Sequence, residues 1–422
     1  MELYYSFSVL IVLASFFAYL NLRFLKLPAT IGIMLIAIVV SILLRIFGPG
    51  MFPNTINSFS TFISTIDFTE VLMGAMLNFL LFAGAIHVNL SDLKEQRWPI
   101  FTFSTVSVII SAFAVAFLFY LIAPLLDIDL PFIYCLLFGA LISPTDPIAV
   151  LGILKQAKVP KSLETKIAGE SLFNDGVAVV FFIVTLQIAQ ASAADLTATD
   201  ISWLFIKEVL GGLILGLLLG FGASGAMRKV DDYIVSVLIT LSVVMGGYLI
   251  ARAAHISGPL TMVAAGLIIG NYGKKTAMSD VTKDYLNKFW ELIDEIMNAI
   301  LFLFIGFELL LIPDILDHWI FGLAAIVVVL LARTLSIMIP AVLVPFKKKF
   351  AKGTLYMLIW GGLRGGVSIA LVLSMDTSPQ KDLFLEITYF VVIFSIVVQG
   401  LTVGKLAARV LPHKKVMAGL KA

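Results

Sequence analysis

The sequence has few charged residues. Of its 422 residues only 13% are charged, whereas 60% are hydrophobic, and the mean hydropathy is +1.05. A soluble domain needs a more polar surface, so this composition excludes that class and indicates a polytopic membrane protein. The net charge is only +2, and no basic cluster is interleaved with aromatic residues, which excludes a nucleic-acid partner.

Cysteine and histidine are also scarce. The single cysteine, Cys135, excludes an internal disulfide and a Cys-x-x-Cys metal site. The scattered histidines, His87, His255, His318 and His413, give no metal-ligand spacing. We therefore expect no cofactor, and any bound ion would be a transported one.

Long apolar runs dominate the chain. Since about 20 apolar residues cross the hydrocarbon core as a helix, the sequence predicts thirteen spans. They are residues 4–22, 28–47, 69–89, 99–126, 131–154, 168–190, 203–225, 233–251, 257–271, 293–312, 318–344, 354–376 and 385–408. The runs are too long for barrel strands, so the predicted class is all-α. The first run lacks a basic start and a cleavage site, which predicts a retained helix rather than a signal peptide.

Basic residues predict the orientation. Lysine and arginine concentrate in alternate connections and in the C-terminal tail, whereas the opposite connections hold only Arg45, Arg252 and Lys381. Because basic loops remain cytoplasmic, the N-terminus is predicted outside and the C-terminus in the cytoplasm. The predicted location is the inner (plasma) membrane.

The spans also predict an internal symmetry. Thirteen spans divide as six, one and six. Because the seventh span is a single crossing, the second set of six enters the membrane from the opposite side to the first, as in the inverted repeats of secondary transporters. Spans five and twelve then correspond, and both are interrupted. Span five contains Ser143-Pro144-Thr145-Asp146-Pro147, and span twelve contains Gly361-Gly362-Leu363-Arg364-Gly365-Gly366. Proline and glycine disfavour a continuous helix, so the pattern predicts two broken helices and a transport site between them.

Charged residues lie deep in these spans. Asp175 and Asp146 are each nine residues from a cytoplasmic lysine, which places them roughly 13 Å from the inner face at 1.5 Å per residue. Arg364 lies roughly 18 Å deep by the same rise. A charge at this depth costs about 2.5–3.5 kcal/mol on an isolated helix, so such residues face a bundle interior or a water-filled cavity.

Oxygen ligands cluster around these charges. A hard alkali cation prefers carboxylate, hydroxyl and carbonyl oxygen. Asp175, Ser171, Asp146 and the carbonyls freed near Thr145 supply such ligands. The alternative for Asp175 alone is a structural hydrogen bond to a neighbouring helix.

Other polar residues inside the predicted spans are predicted to have structural roles. Glu170 is predicted to pair with Arg364, because an unpaired buried charge is far costlier than a paired one. Asn298 and Glu308 in span ten and Arg333 in span eleven are predicted to be packing or interfacial groups, and Glu308 to snorkel to the outer surface.

Five motifs in order resemble one family. They are FGALISPTDPIAV, GESLFNDGVAVVFF, HISGPLTMVAAGLIIGN, FLFIGFELL and GGLRGGVSIAL. Together they resemble the monovalent cation/proton antiporters, specifically the NhaP-like bacterial sodium/proton exchangers, over nearly the whole chain. The resemblance implies an antiporter fold with crossed, unwound helices five and twelve, and a homodimer. It also implies a core ion-binding part over approximately 69–190 and 318–408, and a dimerisation part over approximately 1–47 and 203–312.

The resemblance further implies residue roles. Asp175 is similar to the acid that binds ion and proton, Asp146 and Thr145 to its unwound-helix partners, and Ser171 to a further ligand. Glu170 and Arg364 are similar to a structural ion pair.

Two positions bear on stoichiometry and ion preference. Asn174 is also predicted to be one of the ion- and proton-binding residues. Its position before Asp175 resembles electroneutral members, whereas electrogenic relatives tend to have two adjacent acids. One departure is that no acid occurs in span three near Ala83-Gly84-Ala85, where many related sequences place one.

The predicted function is therefore exchange of Na⁺ or Li⁺ for H⁺, one for one, by competition for Asp175. It is a transporter rather than an enzyme. Potassium/proton exchange, solute symport and a cation channel remain alternatives. An intramembrane protease is a more distant one: Gly222-Ala223-Ser224-Gly225 fits a GxSG motif, but His255 is predicted to lie most of a bilayer away.

Overall fold

A computed structural model of the chain describes most of the predicted spans. The described residues are 2–51, 70–146, 161–190, 197–310, 318–344 and 353–411, together with Val150, Leu154, Val159, Ile312 and Phe350. Within predicted span five, residues 147–149 and 151–153 lie outside them, so Pro147 of the predicted break is not among the described residues.

The described residues form α-helices with short π-helical and 3₁₀ turns. The helices are α1 (Glu2–Leu20), α2 (Ala29–Met51), α3 (Leu77–His87), α4 (Leu90–Glu95), α5 (Arg97–Phe101), α6 (Ser107–Ile122), α7 (Phe132–Ile142), α8 (Lys161–Gln190), α9 (Ala198–Val230), α10 (Tyr233–Ala254), α11 (Gly258–Ile268), α12 (Lys274–Thr276), α13 (Asp280–Glu308), α14 (Trp319–Leu343), α15 (Thr354–Trp360), α16 (Gly366–Leu373), α17 (Pro379–Phe394) and α18 (Leu401–Val410). Short π-helical segments join α5 to α6 and α17 to α18 into longer rods. The all-α class is confirmed.

Many of these helices match the predicted spans. Eight helical segments in the described residues are long and apolar enough to cross a membrane. The remaining predicted spans coincide with shorter, interrupted or more polar helices, such as α3, α11 and α13. The count of thirteen crossings is consistent with this arrangement but stays a prediction.

The helices pack into two groups. In the first group, α6, α7 and α8 pack with α14, α16 and α17. In the second group, α9, α10 and α11 pack with α3 and α13, and α13 also packs on α1 and α2. Helix α8 contacts α11, and α16 contacts α13, so the two groups meet near the broken helices.

Glycines allow close helix contacts within both groups. A Cβ atom added at Gly139 of α7 would overlap the backbone of Ala112 in α6, and one at Gly270 would overlap the backbone of Ile86 in α3. Without a hydrophobic driving force between helices in lipid, small residues stabilise association by bringing backbones into van der Waals contact.

The outer surface is apolar. Leu22, Trp203 and Leu343 expose 72%, 66% and 73% of their surface. Such a surface is unsuited to water but matches lipid hydrocarbon, so these helices present the faces expected of a multi-pass membrane protein.

Candidate ion-binding site

The two predicted helix breaks meet. Helix α7 ends at Ile142, and the segment between α15 and α16 is also non-helical. The backbone N–H of Asp146 donates to the Leu363 carbonyl oxygen at 2.8 Å, in a single antiparallel bridge. Proline and glycine make this possible because they prevent a regular helix at both positions. The crossing therefore brings irregular backbone from both segments to one point inside the protein.

Arg364 stabilises this crossing. Its Nη1 donates to the carbonyl oxygens of Ser143 and Pro144, the latter at 2.9 Å. Its backbone N–H donates to Ser395 Oγ at 2.8 Å. A helix end leaves carbonyl oxygens without backbone partners, so a buried cation satisfies them and opposes the partial negative charge there. Arg364 thus ties one broken helix to the other.

Thr145 is held by two polar residues of α8. Asn174 Nδ2 donates to Thr145 Oγ1 at 2.6 Å, and the Thr145 backbone N–H approaches Asn174 Oδ1 at 3.5 Å. The hydroxyls of Thr145 and Ser171 lie 3.2 Å apart. All three side chains are buried. Asn174, predicted to bind ion and proton, is engaged with Thr145, and it orients the unwound segment against α8.

Two carboxylates lie beside these hydroxyls. Asp175 is 8% exposed, and its Oδ1 has no hydrogen-bond partner among the described residues. It interacts electrostatically with Asp146 and Arg364. Asp146 is half-buried, and its side chain packs against Gly365, where a Cβ atom would overlap it. A buried carboxylate oxygen without a partner is costly unless a proton or a cation occupies it at some stage.

Glu170 pairs with Arg333. Glu170 Oε1 and Arg333 Nη1 are 2.6 Å apart, and the two side chains are 2% and 6% exposed. Arg333 also donates to the Leu358 carbonyl oxygen from Nε and Nη2, at 3.2 and 2.7 Å. The pairing of Glu170 with Arg364 predicted from the sequence is therefore wrong in its partner. The reason is geometric: Arg333 Nη1 lies against Glu170, whereas Arg364 Nη1 is directed at the carbonyl oxygens of Ser143 and Pro144.

Sequence reasoning missed Arg333 as part of this site. It was predicted to be a packing or interfacial residue, yet its guanidinium lies against Gly362 in the broken segment. The signal was available, because Arg333 is a charge deep inside the predicted span 318–344. Glu308 likewise is buried, with 6% of its surface exposed, where the sequence predicted snorkelling.

Ser395 and Gln399 were also missed. Ser395 Oγ donates to Gln399 Oε1 at 2.8 Å, and Gln399 Nε2 donates to the Trp360 carbonyl oxygen at 3.1 Å. Together they hold the last turn of α15 and the backbone of Arg364. No sequence motif marks them, because serine and glutamine in a helix satisfy many other roles.

Helix α3 reaches the same region without an acid. Gly84 is exposed and lies beside Leu172 of α8, which is three residues from Asp175. The flanking Ala83 and Ala85 are buried. The stretch 83–85 thus supplies no side-chain oxygen to the site.

The protease interpretation fails on geometry. Ser224 Oγ donates to the Gly220 carbonyl oxygen within its own helix, at 2.7 Å. His255 caps the far end of α10, a helix of 22 residues that spans about 33 Å. A nucleophile and its base must lie within hydrogen-bond reach, which these two residues do not. Among the described residues, no group of three His, Cys, Asp or Glu side chains is placed to hold a metal ion.

A family comparison agrees with this geometry. The family model described as "Sodium/hydrogen exchanger, transmembrane" matches residues 11–409. The chain belongs to the sodium/hydrogen exchanger family. The resemblance noted from the motifs is confirmed, and the crossing of α7 with the 361–365 segment lies within the matched range.

Curated members of the family are similar over most of the chain. The Na⁺/H⁺ antiporter NhaP of Pseudomonas aeruginosa is 49% identical over 408 residues, which cover 96% of each chain. The Na⁺/H⁺ antiporter NhaH of Halobacillus dabanensis is 34% identical over 348 residues, which cover 80% of this chain and 83% of that protein.

A solved structure shares the fold. The sodium proton antiporter MjNhaP1 from Methanocaldococcus jannaschii at pH 8 superposes with a TM-score of 0.76, over 98% of this chain and 100% of that one. Sequence identity is 20%, so this similarity concerns the fold alone.

Proposed function

We propose that the protein is a secondary active antiporter that exchanges Na⁺ or Li⁺ for H⁺, one for one. The observation that carries this proposal is the Asp175 carboxylate, whose buried Oδ1 has no hydrogen-bond partner among the described residues. It lies near Asp146 and the hydroxyls of Thr145 and Ser171. These groups offer a dehydrated alkali cation the oxygen ligands it prefers. The relatives named as Na⁺/H⁺ antiporters support the choice of ions.

Competition for one carboxylate then produces exchange. Ionised Asp175 attracts a cation, whereas protonated Asp175 has no charge with which to bind it. Either species neutralises the site, and the loaded site can then be exposed to the other side of the membrane. Asn174 is neutral and donates a hydrogen bond to Thr145. Of the adjacent residues Asn174 and Asp175, only Asp175 therefore carries a charge. One cation therefore replaces one proton, and the cycle moves no net charge.

The wider assembly is proposed on the same basis. The chain acts in the inner (plasma) membrane as a homodimer, with its N-terminus outside and its C-terminus in the cytoplasm. The ion-binding part is the first packing group, with α8 and both broken segments, and the dimerisation part is the second group. Helix α3, which the sequence-based boundaries place with the ion-binding part, packs on α11 and α13 and belongs to the second group.

The test uses purified protein in proteoliposomes. Internal pH is recorded while Na⁺, Li⁺ or K⁺ is added outside, with the membrane potential clamped at several values, for wild type and Asp175→Asn. We expect Na⁺- and Li⁺-driven alkalinisation that is independent of potential and absent in the variant. A response to K⁺ alone would reassign the ion. Exchange by Asp175→Asn, or cation flux without proton movement, would refute the proposed mechanism.

A further inference from the structure

Helix α13 carries a buried amide next to a carboxylate. Asn298 is 1% exposed, and its Nδ2 donates to Asp294 Oδ1 at 3.2 Å. Because the carboxylate accepts from the NH₂ group, the amide orientation is determined, and Oδ1 is the free end. Among the described residues this oxygen has no hydrogen-bond partner. A buried amide oxygen without a partner is unusual in a native structure.

This pair lies on the approach to the helix crossing. Asn298 and Leu301 are three residues apart and share a helix face. A Cβ atom at Gly366, the first residue of α16, would overlap the Leu301 side chain. The neighbouring Gly365 packs against Asp146. Asn298 is therefore one helical turn, roughly 4.5 Å along the axis, from the level where α13 touches the crossing.

The charge pattern of α13 points towards a cation. Glu291, one turn from Asp294 towards the predicted cytoplasmic end, and Glu295, the residue after Asp294, are exposed, and Asp294 is half-buried. Helix α3, which flanks the same region, supplies no acid at Gly84. The α13 pair thus supplies carboxylate and amide oxygens on this approach, which is the ligand chemistry that hard cations prefer.

We propose that Asp294 and Asn298 form a transit site that binds a monovalent cation between the cytoplasm and Asp175. The site rests on the proposed antiport function and on the predicted orientation. Asp294 supplies the charge, and Asn298 Oδ1 supplies a ligand in place of water. A cation that is partly dehydrated here is passed to Asp146 and Asp175 when the core part exposes them to the cytoplasmic side.

The direct test is cation binding without transport. Saturable ²²Na⁺ binding to the full-length protein in nanodiscs is measured for Asp175→Asn, for Asp175→Asn with Asp294→Asn, and for Asp175→Asn with Glu291→Gln. We expect Asp175→Asn to retain weak saturable binding, and added Asp294→Asn to weaken it by at least about tenfold. Glu291→Gln removes the same charge one turn away and should change the affinity for ²²Na⁺ by less than about twofold.

Transport supplies a second measurement. Asn298→Asp adds a charged ligand without changing the size of the side chain, and we expect it to lower the half-saturating Na⁺ at the cytoplasmic face by at least about threefold. The elution volume and thermal stability of each variant establish that it is folded.

Three results would overturn the transit site. They are no residual binding in Asp175→Asn, equal effects of Asp294→Asn and Glu291→Gln, or an unchanged half-saturation in Asn298→Asp. None of them concerns wild-type exchange. The proposed function fails separately, if wild type shows no coupled proton movement.

Discussion

At the scale of single residues, most polar groups near the crossing hold the backbone, whereas Asp175 Oδ1 has no hydrogen-bond partner among the described residues. Arg364 satisfies two helix-end carbonyls, and Asn174 holds Thr145. Glu170 is neutralised by Arg333. Because Glu170 is already paired and Asn174 is neutral, Asp175 is the acid whose charge can be balanced by a transported ion. Pre-oriented ligands of this kind reduce the ordering needed when the ion binds.

The Glu170–Arg333 contact predicts a specific coupling. Glu170→Gln should destabilise the protein by about 3–5 kcal/mol, because it leaves a buried guanidinium without its counter-charge. Glu170→Gln with Arg333→Met should recover much of that loss, since no isolated charge remains. The measurement is thermal unfolding of each purified variant in one detergent, arranged as a double-mutant cycle.

Arg364→Met provides the control for this cycle. Its coupling to Glu170→Gln should be smaller than that of Arg333→Met, since Arg364 is engaged with the carbonyls of Ser143 and Pro144. Stronger coupling of Glu170→Gln to Arg364→Met than to Arg333→Met would contradict the Glu170–Arg333 pair and support the Glu170–Arg364 pair predicted from the sequence.

At the scale of helices, contacts at the ends connect elements that are distant in sequence. Lys274 of α12 donates from Nζ to the Ile86 carbonyl oxygen at 2.8 Å and to Asn287 Oδ1 at 2.5 Å. Asn271 in the preceding turn donates to the Val88 carbonyl oxygen and accepts from the Leu90 N–H. These contacts tie the end of α3 to the turn after α11 and to α12 and α13.

Lys274 makes this tie dependent on pH. It lies beyond predicted span 257–271, and burial lowers the pKa of its ammonium group from 10.5 to about 8. Between pH 8 and pH 10.5 the folded protein binds fewer protons at Lys274 than the unfolded chain does. The free energy of unfolding therefore rises with pH over this range. Below pH 8 the cost of burying the charged form is fully present.

We therefore expect wild type to gain stability relative to Lys274→Met as the pH rises from 8 to 10. The measurement is the difference between their unfolding temperatures at each pH, in which the titration of other groups cancels. Lys275→Met, at the exposed neighbouring residue, serves as the control. A difference that is flat or that falls with pH would contradict the assigned burial effect.

At the scale of the whole molecule, the topology sets which end of each helix faces the cell interior. Basic loops resist translocation, so the side that carries most lysine and arginine is predicted to be cytoplasmic. Lys229 lies in the last turn of α9 on that side, and Asp129 lies in the connection on the opposite side. Both are exposed, whereas the single native cysteine, Cys135, is 0% exposed and should remain unlabelled.

Cysteine labelling tests the topology directly. In intact cells, a membrane-impermeant maleimide should label Asp129→Cys but not Lys229→Cys, and in inverted vesicles the pattern should reverse. The wild-type protein gives the background from Cys135. The same pattern for both variants would show that the number of crossings between them, or the assignment of sides, is incorrect.

The sequence by itself determined the class and the position of both breaks, and it predicted the depth of the charges. Hydropathy and proline or glycine content act locally, so they can be read without knowing which segments meet. On this basis the sequence predicts Asp175, Asp146, Ser171 and Thr145 as site residues, and the structure brings Thr145 and Ser171 into contact.

Only the tertiary structure decided the partners. Hydropathy predicts that Glu170, Arg333 and Arg364 lie inside membrane spans but does not predict the rotation of their helices. The rotation selects which of the two arginines reaches the carboxylate. The placement of α3 likewise depends on which helix faces pack together. Gly270 allows its segment to pack against the backbone of Ile86 in α3. Such contacts join residues far apart in the chain, so no local pattern encodes them.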